Sequence, residues 1–212
     1  MGEAARAHAY GALRATILSG DFAPGQRLIE AELAGTLGVT RQSLRAALLD
    51  LTAEDLVERI PNRGARVRVI SCDEAVAITE CRMALESLCA AKAAQVITDA
   101  EAAQLRALAG NLEDAAAGAD PLKRCELDRK LHRQVAAISG QRVAAGLLER
   151  LQGQLVRHQF ELALRPGRPG VSLGEHLAIV DAVTQRRPRD AERAVRVHLG
   201  SVITALRSRA GT

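Results

Sequence analysis

The strongest constraint on this chain is the stretch Gly38-Val39-Thr40-Arg41-Gln42-Ser43-Leu44-Arg45-Ala46-Ala47-Leu48-Leu49-Asp50-Leu51. At about 100° per residue, Leu44, Ala47, Leu48 and Leu51 fall on one arc of a helix and must face a core. Thr40 is placed to cap that helix, because its hydroxyl can accept an amide proton left unpaired in the first turn. Arg41, Gln42 and Arg45 fall on the opposite arc near the N-terminal end. A helix with an apolar back and guanidinium groups at its front suits the major groove of DNA, where arginine meets the two acceptors of guanine or pins a phosphate. Taken alone, the same pattern also describes a solvated amphipathic helix, so the neighbouring segments decide.

Upstream, residues 3–19 are Ala-rich, with Tyr10, Leu13, Ile17 and Leu18 at helical spacing; Ser19-Gly20-Asp21 ends that helix and Pro24-Gly25 makes a turn. Gln26 to Ile29 is long enough only for a short strand. Glu30 to Leu37 forms a second helix with Leu33 and Leu37 inward, stopped by Gly38. Two short helices joined by a tight turn, the second carrying basic exposed residues, are the helix-turn-helix arrangement. Downstream, Leu56–Ile60 and Ala65–Val69 read as two strands around the turn cluster Pro61-Asn62-Arg63-Gly64. Arg66 and Arg68 alternate with Val67 and Val69, giving one basic and one apolar face. From Arg59 to Arg68 there are four arginines and no acid. Such a hairpin beside a recognition helix is a wing whose tip can reach phosphates or the minor groove, and Gly64 would let the backbone come close.

From Ser71 onward the pattern is entirely helical. Ser71…Glu74, Thr98…Glu101 and Ser172…Glu175 are S/T-x-x-E capping boxes, Asp120-Pro121 sets a cap before a first-turn proline, Ser139-Gly140 is a stop and Pro188 a start. Six helices are predicted, near 73–96, 99–117, 121–138, 141–165, 173–185 and 188–208. The chain is therefore mainly α: an N-terminal winged helix-turn-helix over 1–70 and a C-terminal antiparallel six-helix bundle over 71–212. Composition agrees, since 48% of residues are hydrophobic but only Tyr10, Phe22 and Phe160 are aromatic. A core of Ala, Leu and Val favours closely packed helices over a β-sandwich. The net charge of +4 permits a nucleic-acid partner without requiring one. No apolar run approaches the roughly 20 residues that span a bilayer, and the N-terminus lacks a signal-peptide pattern. Cys72, Cys81, Cys89 and Cys125 show no C-x-x-C spacing and read as reduced core thiols. The expected compartment is the cytoplasm.

The residues Leu18-Ser19-Gly20, Ala23-Pro24-Gly25-Gln26-Arg27-Leu28, Glu32-Leu33-Ala34, Leu37 to Leu48 and Pro61-Asn62-Arg63-Gly64-Ala65 together resemble the winged-helix domain of GntR-type transcription regulators. The helical remainder resembles the FCD effector domain of the same family in its shorter six-helix form. The resemblance implies a homodimeric, ligand-responsive DNA-binding protein, more often a repressor than an activator. It also implies that Arg41 and Arg45 read or clamp DNA and that Gly64 sits at the wing tip. The expected DNA-contacting set is Thr40, Arg41, Gln42, Ser43, Arg45, Arg63 and Gly64. Two departures stand out: Ala31 replaces an arginine that touches DNA in some relatives, and Gln42-Ser43 replaces the usual Thr-Pro, which points to a different operator sequence.

The helical part also carries an inward-facing polar set. Asp128 and His132 share one face at a spacing of four, bordered by Leu131, Val135 and Ile138. His176 lies within the arc of Leu173, Ile179, Val180 and Val183, and His198 is flanked by Val195 and Val202. Any one inward histidine is ordinarily a hydrogen-bonded core residue. Four titratable groups together are costly to bury with nothing to bind, and neutral imidazoles with one carboxylate suit a divalent transition metal, zinc first, with nickel or manganese as other candidates. The FCD resemblance places metal ligands at the same four positions, through Asp128-x-x-x-His132, Glu175-His176 and His198-Leu199. A six-coordinate ion would keep positions for water or the carboxylate of a small effector. Arg82, within the apolar arc of Ile78, Leu85, Cys89 and Ala93, is either the bidentate partner of that carboxylate or a structural pair with Glu86. His158, facing Leu151, Leu155 and Leu162, is a candidate for the pocket border. The competing readings are a metal-dependent hydrolase with an accessory winged helix, for which no general base is visible beside the ligands, and a winged-helix protein that mediates only protein contacts.

Overall fold

A computed structural model describes residues 2–60, 64–118 and 120–208. The chain divides into two compact units, 1–70 and 71–212.

In the first unit the order is α1 (Gly2–Ser19), β1 (Arg27–Leu28), α2 (Glu30–Leu37), α3 (Arg41–Ala53), β2 (Val57–Ile60) and β3 (Gly64–Val67). The three strands form one antiparallel sheet in the order β1-β3-β2, with Val57 opposite Val67 and Leu28 opposite Ala65. That register puts Leu28, Val57, Ala65 and Val67 on one side. There they meet the arc of α3 carrying Leu44, Ala47, Leu48 and Leu51 and the buried residues Ala9, Leu13 and Ile17 of α1. Gly38 makes the turn between α2 and α3 at φ 63°, a left-handed conformation that a glycine adopts without steric cost. On the rim, the Arg6 Nε donates to the Asp50 carboxylate at 2.7 Å, and Tyr10 and Arg14 both bond Glu54, so α1 and α3 are held by ion pairs as well as by packing.

The second unit contains α4 (Cys72–Val96), α5 (Asp99–Ala117), α6 (Pro121–Ile138), α7 (Arg142–Gln154), α8 (Val156–Ala163), α9 (Arg168–Thr184) and α10 (Pro188–Arg207). The caps work as chemistry dictates at three starts. Ser71 accepts from the Glu74 amide at 3.1 Å, Thr98 and Glu101 form a reciprocal capping box, and Asp120 accepts from the Lys123 amide at 3.0 Å. The core is built from Ala90, Ala93, Ala94, Leu105, Leu112, Leu131, Ile179, Val183, Val195 and Leu199. Alanine on α4 lets α10 lie close along it, and each fully buried leucine contributes about 1.5–3 kcal/mol. Among the described residues no helix is long and apolar enough to cross a membrane, and all four cysteines are free.

Two predicted elements differ. The helix expected over 141–165 is two helices, making seven among the described residues of this unit rather than six. Leu155 leaves helical geometry at φ −97°, ψ 4°, and its amide bonds Gln152 in a tightened last turn. Gly153 lowers helix propensity there by about 1 kcal/mol relative to alanine. The helix expected to start behind a Ser172 cap starts earlier, at Arg168. Gly167 at φ 78° turns the chain and Pro169 fits the first turn, whose missing N–H would have had no partner. Ser172 therefore lies inside α9 and caps nothing.

Candidate functional site

The front of α3 is built by its cap. The Thr40 hydroxyl accepts from the Ser43 amide at 3.1 Å and donates to the Ser43 hydroxyl at 3.0 Å. Ser43 was expected among the DNA-contacting residues, but it is buried. Four residues before Ala47, it shares the inward arc and serves the capping turn. Thr40, Arg41, Gln42 and Arg45 are exposed, and Arg45 donates to Glu30 of α2 at 2.6 Å. An ion pair whose arginine is 62% exposed is worth at most about 1 kcal/mol, so a phosphate can replace Glu30 cheaply.

In the hairpin, Arg66 pairs with Glu58 at 2.6 Å and Arg68 lies 4.0 Å from Asp55, while Arg59 is exposed. Gly64 opens β3 at φ +86°, and a Cβ there would come no closer than 4.0 Å to the Leu28 carbonyl. The requirement for glycine is thus conformational and not a matter of space. Pro61, Asn62 and Arg63 lie outside the described residues.

In the helical unit, α6, α9 and α10 bring His132, His176 and His198 into contact. Their ring centroids are 4.3–5.2 Å apart, and one nitrogen from each ring lies within 4.8 Å of the others. The outer nitrogens have carboxylate neighbours. His132 Nδ1 is 2.6 Å from Glu86, His198 Nδ1 is 2.9 Å from Glu175, and His176 Nδ1 is 3.3 Å from Asp128. Each carboxylate favours a proton on the facing Nδ1, which leaves Nε2 as a lone-pair donor. Behind two of them stand arginines: Arg82 Nε donates to Glu86 at 2.8 Å, and Arg168 donates to Glu175 at 3.2 Å and to the Ser201 hydroxyl at 2.8 Å. His132 Nε2 and His176 Nε2 face each other at 3.2 Å. Two lone pairs at that distance repel, and a cation between them removes the repulsion. The donor set therefore fits a divalent transition metal.

The electrostatics point the same way. Burial, reinforced by the neighbouring imidazoles, pushes the His176 and His198 pKa values well below the usual histidine range, which keeps both rings neutral. Burial also raises the Asp128 carboxyl to about 6, against the opposing pull of His132 and Arg124. At Glu86, burial acts upward, but Arg82 and His132 outweigh it and hold the acid well below the ordinary carboxylate range.

The rings border a cavity of about 70 Å³ that is also lined by Arg82, Arg124, Asp128 and Arg168. Asp128, expected as the fourth ligand, lines it but sits on the outer side of His176, outside the convergent trio. Arg82 lines it too, yet the pairing with Glu86 satisfies its charge within the protein. His158 is buried on α8 but does not border the cavity, because the break at Leu155 resets the facing of that helix. Arg168 and Arg124 carry no role in the sequence reading, and Glu175 enters it as the acid of the Ser172 capping box and not as a partner of His198. Their signal is spacing: Arg168 and Glu175 are two helical turns apart, and Arg124, Asp128 and His132 form one stripe.

A helix-turn-helix with exposed arginines and an adjoining hairpin, joined to a helical unit enclosing a histidine-lined cavity, defines a two-domain DNA-binding transcription regulator of the winged-helix class. The chain belongs to the gntR family of bacterial regulatory proteins, whose profile matches residues 5–67, and it carries an FCD domain over residues 77–201. It is 28% identical over 198 residues to the HTH-type transcriptional repressor RspR of Escherichia coli (strain K12), covering 93% of this chain and 87% of RspR. It is 30% identical over 210 residues to the HTH-type transcriptional repressor NanR of Cronobacter sakazakii, covering 86% of this chain and 77% of NanR. The solved structure of E. coli McbR/YncC superposes with a TM-score of 0.84 at 20% identity, covering 97% of this chain and 98% of that one, and so shares the fold. The hydrolase alternative has no counterpart among these relatives.

Proposed function

We propose that this protein is a ligand-responsive repressor that acts as a homodimer on a two-half-site operator. Its helical unit senses a small carboxylate through a divalent metal, zinc first and nickel or manganese next. The observation that carries the sensing half is the convergence of three buried imidazoles whose outer nitrogens face carboxylates, because such an arrangement presents lone pairs to a cation. His132, His176 and His198 would hold the metal, with Asp128 the adjacent carboxylate. A bound divalent ion would supply a Lewis-acidic point able to take an effector carboxylate oxygen. Arg41, Gln42 and Arg45 would address the major groove, with Thr40 and the hairpin from Arg63 and Gly64 on the flanking backbone. Two-fold symmetry would set the half-site spacing. Coupling between effector and operator is typically worth about 1–3 kcal/mol. The names of RspR and NanR support the repressor reading, and a partner on chromosomal DNA fits a cytoplasmic site of action.

The test begins with protein purified without chelator and analysed for metal. His132→Ala should lower the metal content after stripping and reconstitution; equal occupancy in variant and parent would refute the metal assignment. Arg41→Ala should abolish specific gel shifts while the circular dichroism spectrum stays unchanged. Undiminished operator affinity would refute the recognition-helix assignment.

A further inference from the structure

Four arginines line the histidine cavity, and their surroundings differ. Arg82 is tied to Glu86 and Arg168 to Glu175, both through carboxylates that are themselves buried or nearly so. Arg129 is only half-buried, so its charge is not fully withdrawn from solvent. Arg124 is different. It is 8% exposed, and it donates through Nη2 to the Ala163 carbonyl at the end of α8, at 2.7 Å. Among the described residues it has no ion pair with a carboxylate. Asp128, the one acid lining the cavity among the described residues, lies in contact range of His176 and acts on Arg124 only at longer range, without a hydrogen bond to its fork. A carbonyl supplies a dipole but no counter-charge, and a guanidinium offers five N–H donors in a planar fork matched to a carboxylate. A buried cation left in that condition is expensive unless an anion completes it.

We propose that Arg124, on the same stripe of α6 as Asp128 and His132, is the residue that seats the anionic group of the effector, and that Arg82 belongs to the support of His132. The inference rests on the carboxylate-effector reading above and names the residue within it. The effector enters with its carboxylate against the free edge of the Arg124 fork, while the bond to Ala163 fixes the orientation of that fork. An uncharged amide of the same shape lacks the charge that Arg124 requires and is rejected.

The experiment compares the metal-loaded full-length protein with Arg124→Gln and Arg124→Lys, using malonate as probe and malonamide as its uncharged control. Glutamine can still donate to the Ala163 carbonyl but carries no charge, and lysine keeps the charge without the fork. Calorimetric titration should show malonate binding to the parent and about tenfold to a hundredfold weaker binding to Arg124→Gln, the range for losing charge-assisted hydrogen bonds. Arg124→Lys should fall between them, malonamide should bind none of the three, and metal content should be equal in all three. Equal malonate affinity in parent and Arg124→Gln would overturn the assignment to Arg124 and leave the carboxylate-effector reading standing. Loss of metal together with malonate binding in Arg124→Gln would also overturn it, because the arginine would then be supporting the site. If the metal-loaded parent binds neither malonate nor acetate, the carboxylate-effector reading itself fails, and the Arg124 assignment with it.

Discussion

Glu86 is the residue whose replacement reports most directly on how the histidine centre is held. Its carboxylate is 4% exposed and lies between the Arg82 guanidinium, itself 3% exposed, and the His132 ring. Glu86→Gln preserves shape and one acceptor but removes the only counter-charge of Arg82 found among the described residues. Breaking a buried pair from one side costs about 3–5 kcal/mol, and the remaining neutral hydrogen bond places this variant at the lower end, near 3 kcal/mol. With a urea m-value of about 2 kcal/mol/M, the unfolding midpoint of the metal-free protein should fall by roughly 1.5 M at unchanged m. The double variant Arg82→Met/Glu86→Leu removes both charges and should recover most of that loss, because neither charge then remains buried alone. Reconstituted Glu86→Gln should also bind metal about 10–100-fold more weakly, since His132 loses the group that orients it. A midpoint shift smaller than about 0.5 M, or a double variant no more stable than Glu86→Gln, would refute the claim that this carboxylate compensates a desolvated guanidinium.

Other outcomes follow from the same contacts. Thr40→Ala removes the acceptor of the Ser43 amide and should destabilise the first unit by about 1 kcal/mol in a denaturant titration; Thr40→Ser should retain nearly all of it. In the metal-free protein, the pKa values of His176 and His198 are lowered by folding, so the unfolded chain binds more protons than the folded one in the pH window below about 6.5. Stability should therefore be full above that pH and fall as acid drives protons onto rings that the fold keeps neutral. Urea midpoints at pH 7.5 and 5.5 check this, and a midpoint that rises on acidification would contradict the sign.

Much of the architecture was legible because it is written locally. A capping hydroxyl or carboxylate sits within three residues of the amide it serves, so Thr40, Ser71, Thr98 and Asp120 announce their helices. Ser172 failed as a signal because Gly167 and Pro169, a few residues upstream, start α9 first. The pattern around Ser172 says nothing about that competition. Ser43 illustrates a finer limit. Near a helix start, a small polar residue can face out or serve the cap, and its spacing to Ala47, with which it is buried on α3, decides for the inside. The inward faces of the three histidines were equally legible, since each lies on an apolar arc of its own helix. Their partners were not. Glu175 precedes His176 in sequence, yet it is rotated about 100° from it around α9. It serves His198 on α10 instead, a pairing that exists only once two helices are packed.

The charge inventory of the centre explains why an anion belongs there. Glu86, Glu175 and Asp128 face the three outer imidazole nitrogens, and Arg82, Arg168 and Arg124 are the guanidinium groups gathered with them. These six side chains carry three negative charges against three positive ones, with Arg129 only half-buried at the cavity wall. Such a shell can be buried at tolerable cost because no net charge is taken from water. A divalent ion added to that shell leaves it with two positive charges in a cavity of about 70 Å³, where solvent has little room to screen them. The carboxylate of a small acid then restores part of the balance from outside the protein's own composition. An uncharged ligand of the same size does not. Selectivity for anions is on this argument a property of the whole shell, and the location of the incoming charge is set by Arg124, the one buried guanidinium of the three that no buried glutamate neutralises.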